Sequence, residues 1–92
     1  MKYLFNEPPN TASITCCHVL DGTSDILYVS HDEDDGMWQF LCGKSHNMSD
    51  ARMISLYEIC MLDTSIVELY ELPCGYIAER DSKESNWTIR KK

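Results

Sequence analysis

The sequence predicts an α+β domain: an antiparallel sheet, an N-terminal three-stranded meander plus C-terminal strands, with two short helices on one face. Three observations carry the prediction. The first half of the chain alternates β-forming runs with turn clusters. Beyond Arg52 the apolar period lengthens from two residues to three or four, as in a helix. After Pro73 and Gly75, which close the helical part, β-type runs resume.

Residues 1–11 read as an irregular arm. Residues 13–20, Ser-Ile-Thr-Cys-Cys-His-Val-Leu, are rich in β-formers and predict the first strand. Residues 26–31 predict the second and residues 37–42 the third. The cluster from Asp21 to Asp25 marks the first turn. Asp35-Gly36 suits the second, because a tight hairpin needs a positive backbone dihedral that glycine supplies cheaply. The three runs together read as an antiparallel meander. Residues 52–54 predict a short strand, and Ser55-Leu-Tyr-Glu58 is a capping-box pattern opening a helix. Leu56, Ile59 and Leu62 then share an apolar face. Ser65-Ile-Val-Glu68 repeats the box, with Ile66, Leu69 and Tyr70 as the second face, and Asp63-Thr64 separates the two helices. Residues 76–80 and 87–90 predict the last strands, joined by a polar turn. With no repeat, low-complexity segment or linker, residues 1–92 read as one domain.

A chain of 92 residues with 43% apolar side chains can build one core. At this size about 60–65% of the unfolded surface is buried, so stability is modest and few residues are spare for a deep cleft. The net charge is −7, and its placement is uneven. Between residues 3 and 43 stand Glu7, Asp21, Asp25, Asp32, Glu33, Asp34 and Asp35, with no Lys or Arg, while the rest of the chain is nearly neutral. Such a field repels phosphate backbones and anionic membranes and attracts basic protein surfaces. The expected partner is therefore a protein, not nucleic acid or membrane, engaged through Asp21, Asp25, Asp32, Glu33, Asp34 and Asp35. Acidity that serves only solubility is the plainer alternative. No apolar run approaches the ~20 residues of a membrane span, and the N-terminus does not resemble a signal peptide. A cytoplasmic protein with five reduced cysteines, Cys16, Cys17, Cys42, Cys60 and Cys74, is the expectation.

Chemistry finds little purchase in the residue spacing. With Gly36 at the glycine position of a calcium loop, His31 and Cys42 would fall at the first and twelfth positions, where carboxylates belong. No cysteine pair has zinc-type spacing. Cys16 and Cys17 are adjacent, on opposite faces of a strand, and His18 shares a face with Cys16 but lacks a second pair at a matching interval. No glycine-rich nucleophile turn precedes any cysteine. No metal, no cofactor and no catalytic residue are therefore expected. Trp38 and Phe40 alternate with Gln39 and are expected in the core rather than stacking on bases.

The segment from His31 to Gly43, His-Asp-Glu-Asp-Asp-Gly-Met-Trp-Gln-Phe-Leu-Cys-Gly, resembles small bacterial domains with a DG-x-W-x-F-x-x-G signature. Ile54-Ser-Leu-Tyr-Glu-Ile59 and Asp63-Thr-Ser-Ile66 sit where those domains carry a short helix and a D-P-S-I/L step. Gln39 stands in a slot that is basic in the pattern, and Thr64 replaces its proline. The group is similar to immunity proteins of bacterial polymorphic toxin systems. That resemblance implies a protein that neutralises a cognate toxin by binding it, with no catalytic residues to transfer. The alternative is an acidic bacterial domain with a housekeeping or regulatory role.

Overall fold

The structure, a computed structural model, describes residues 2–43 and 48–92. Six strands form one mixed sheet: β1 (Ala12–Cys16), β2 (Tyr28–His31), β3 (Trp38–Leu41), β4 (Ala51–Ser55), β5 (Tyr76–Glu79) and β6 (Thr88–Lys91), in the order β4-β1-β3-β2-β5-β6. The α+β class holds, and the sheet is mostly antiparallel.

The meander does not hold. β2 and β3 form the expected hairpin, but β1 lies on the far side of β3 and runs parallel to it, with Ile14 opposite Gln39 and Thr15 opposite Phe40. The cause lies at the end of β1. The chain leaves the strand at Cys16 and makes one helical turn, α1 (Cys17–Leu20), where a strand was expected to continue. A hairpin needs a short turn, whereas α1 and the segment after it are long enough to carry the chain past β3. Asp21 fixes this exit by accepting hydrogen bonds from the Thr23 amide (2.9 Å) and hydroxyl (2.7 Å). Those bonds hold its carboxyl below the usual range. Gly22 takes the positive φ of +82° that the turn requires.

The second half follows its signals more closely. Ser55 caps α2 (Leu56–Leu62): its hydroxyl accepts from the Glu58 amide at 3.1 Å and donates to the Glu58 carboxylate at 3.0 Å. The following helix is a 3-10 helix, Thr64–Leu69, and its cap is Asp63 rather than Ser65, because Asp63 Oδ1 accepts from the Ser65 amide. The buried face of α2 is Leu56, Ile59 and Cys60, an i, i+3, i+4 set; Leu62 is exposed.

Cross-strand register sets the two faces of the sheet. Val29 stands opposite Phe40 on one side and Ala78 on the other, and the three share one core with Leu56, Ile59 and Ile66. Trp38 and Phe40 belong to this face, at 2% and 0% exposure. Ser13 and Thr15 also point there, and their hydroxyls donate to the carbonyls of Ile54 and Phe40. The other face bears the row Met53, Ile14, Gln39, Ser30, Ile77 and Arg90.

Two core-side groups make stability sensitive to alkali. Burial pushes the Cys60 thiol from 9.0 up to about 11. Burial, then the neighbouring Cys60 and Glu7, push the Tyr3 phenol from 10.0 up to about 12. Both folded values are raised, so the stability they carry is full below the unfolded values and lost as pH climbs through the folded ones. The melting temperature is expected to fall between pH 9 and 12, and Cys60→Ala should flatten the part between 9 and 11. A melting temperature constant across that range would contradict this assignment.

Candidate functional site

The acidic residues singled out in the sequence occupy two separate ends of the sheet. Asp32, Glu33, Asp34 and Asp35 follow β2, while Asp21 and Asp25 precede it. The four residues of β2 span about 13 Å, longer than the ~8 Å screening length of physiological salt. The two groups therefore act as distinct fields.

At the hairpin end the four acids have different roles. Asp32 is folded onto the open sheet face, accepting from Ser30 Oγ and Gln39 Nε2, each at 2.6 Å, with Lys92 Nζ at 3.7 Å. Burial raises its pKa, but these hydrogen bonds and Lys92 outweigh burial and hold it below the usual carboxylate range. Asp35 accepts from the Met37 amide at 2.9 Å, and Gly36 takes a φ of +71° to close the turn. Glu33, Asp34 and Asp35 are exposed; Asp32 is not. Asp32 thus holds the hairpin, and the other three project its charge.

The same end assembles a cysteine–histidine pair that spacing did not reveal. His31 is the last residue of β2, and Cys74 precedes β5, which pairs with β2 in antiparallel register. That register brings the exposed Cys74 Sγ to 3.5 Å from His31 Nε2. His31 Nδ1 donates to the Leu72 carbonyl at 2.7 Å, which turns Nε2 toward the thiol. The ring stacks on Trp38 at 3.9 Å, and Glu7 Oε2 lies 3.8 Å from Nε2. This arrangement can support thiol exchange or alkylation at Cys74. Acyl transfer would further require oxyanion donors.

The other end of the molecule combines acid with exposed apolar surface. α2 reads Leu-Tyr-Glu-Ile-Cys-Met-Leu, and its single charged residue, Glu58, is committed to the cap. A helix apolar on all sides is normally buried on all sides. Here only Leu56, Ile59 and Cys60 are buried. Tyr57, Met61 and Leu62 stand 46%, 57% and 51% exposed, and Leu20 of α1 is 40% exposed beside them. Leu20, Ile54, Tyr57, Glu58, Met61 and Leu62 line one shallow groove. Leu20 and Leu62 continue into a second hollow, whose rim carries Asp25 and Lys83. The three-residue spacing of Leu56, Ile59 and Leu62 hides this surface, because it turns Leu62 inward, whereas Leu62 is exposed. The compositional signal, one charge in seven helical residues, was available.

Comparison with known proteins finds no matching family model, curated protein or solved structure. No helix among the described residues is long and apolar enough to cross a membrane.

Proposed function

We propose that this chain is a protein-binding module of the immunity type, which neutralises a basic toxin domain by covering it. The observation that carries the reading is the outward face of α2, where Tyr57, Met61 and Leu62 meet Leu20 in an apolar patch rimmed by Asp25 and Glu58. Interfaces commonly pair an apolar centre rich in aromatic residues and methionine with a polar rim. A basic partner is favoured by the stretch between residues 3 and 43, which carries seven acids and no Lys or Arg, with Glu33, Asp34 and Asp35 exposed. Exposed charges act chiefly on encounter rate, so at low ionic strength, where screening extends to ~30 Å, Glu33, Asp34 and Asp35 would steer the partner from a distance. Asp25 would act at the rim, with Asp21 adding to the field, and Tyr57 and Met61 would supply the contact that holds the complex together.

The test is capture from the native cell with wild-type chain and with Tyr57→Ala/Met61→Ala as baits, partners being identified by mass spectrometry. A basic protein retained by the wild type should be lost from the double variant, since truncating each anchor is expected to weaken binding at least about tenfold. With that partner in hand, Glu33→Gln/Asp34→Asn/Asp35→Asn should slow association and flatten its salt dependence while leaving dissociation unchanged. Equal retention by both baits would move the interface off α2.

A further inference from the structure

Cys16, His18 and Cys42 meet at the end of the parallel strand pair. Cys16 ends β1, and Cys42 follows β3 by one residue. Because β1 and β3 run in the same direction, both cysteines arrive at the same end of the sheet. The helical turn of α1 then folds His18 back toward them, to 3.9 Å between His18 Nδ1 and Cys42 Sγ. All three donor atoms lie within 4.8 Å of one another. Both thiols are 1% exposed, whereas His18 is half-buried and gives the cluster its outlet to solvent.

We propose that these three residues form a zinc site. Zinc bound tetrahedrally, at about 2.3 Å to sulfur and about 2.0–2.1 Å to nitrogen, holds such donors roughly 3.5–3.8 Å apart. A contraction of at most about 1 Å therefore closes the set. Two thiolates and a neutral imidazole balance a divalent cation to zero net charge, which suits a nearly dry position where a lone thiolate is unfavourable. Soft sulfur donors exclude magnesium and calcium, which take oxygen ligands. Binding releases the two thiol protons to solvent, and among the described residues these three are the donors that cluster. The sequence hid this set because its two cysteines lie on strands expected to be separated by a third, with His18 inside a continuing strand.

The experiment is titration of freshly purified, reduced protein with zinc, and with cobalt as a spectroscopic stand-in. One ion should bind per chain, and the cobalt form should show thiolate-to-metal charge transfer with tetrahedral bands. Cys16→Ser, His18→Ala and Cys42→Ser should each weaken zinc binding at least about a hundredfold. Cys74→Ser, which removes a thiol outside the cluster, should bind as the wild type does. The cobalt spectrum needs no variant, so it decides the matter even if a cysteine replacement fails to fold. Absence of uptake, a cobalt spectrum without thiolate bands, uptake that survives His18→Ala unchanged, or a Cys16–Cys42 disulfide in the fresh protein would each overturn the site.

Discussion

Trp38→Ala is expected to remove about half of the chain's stability. Trp38 is 2% exposed and packs edge-on against Phe5 at 4.9 Å, parallel to Phe40 at 6.0 Å and face to face with His31 at 3.9 Å. Its indole N–H donates to Glu7 Oε2 at 2.7 Å. Truncating a core aromatic costs about 3–5 kcal/mol, against a total stability for a domain of this size of ~5–10 kcal/mol. The substitution also removes the donor that Glu7 uses and the surface on which His31 lies, so the N-terminal arm should detach. Trp38→Phe keeps the ring packing and should cost much less. Urea denaturation of the three proteins checks this, and native-like melting of Trp38→Ala would remove Trp38 from the core.

Arg80→Met should be comparably severe. Arg80 and Asp63 are both buried, 2.8 Å apart. The guanidinium is fully engaged: Nε donates to the Ile26 carbonyl at 3.0 Å, one terminal nitrogen donates to Ser65 Oγ, and the other to Asp63. Trp87 covers its face at 4.1 Å. Breaking such a pair from one side strands a buried charge and costs about 3–5 kcal/mol. Asp63 Oδ1 meanwhile caps the 3-10 helix through the Ser65 amide and hydroxyl. Asp63→Asn keeps an oxygen for that cap while removing the charge. The double variant Asp63→Asn/Arg80→Met should therefore lose less than the sum of the two singles, because neither charge is then stranded. Additive losses in a urea-denaturation cycle would show that the two residues act separately.

Local chemistry was legible in the sequence, and long-range pairing was not. The Ser55 capping box, the Asp35-Gly36 turn and the alternation of Trp38 and Phe40 each depend on a few neighbouring residues, and each stands where it was expected. The β1–β3 pairing depends on where a chain goes after Cys16. Residues 17–20 are as compatible with a strand as with the helical turn they form. That one ambiguity hid both the parallel pair and the Cys16–His18–Cys42 cluster. Similarly, the period-three reading placed Leu62 inward, whereas the four-residue step from Leu56 to Cys60 is the one that packs. The acidic residues were visible at once, but their division between two ends of β2 follows only from the register.

The proposed interface is tested most directly by amide hydrogen exchange on the chain, free and saturated with the basic partner it captures. The α2 reading predicts slowed exchange over Leu56–Leu62 and Cys17–Leu20, with the hairpin residues 32–37 little changed. Protection confined to the hairpin, or to the exposed edge strand Thr88–Lys91, would contradict it.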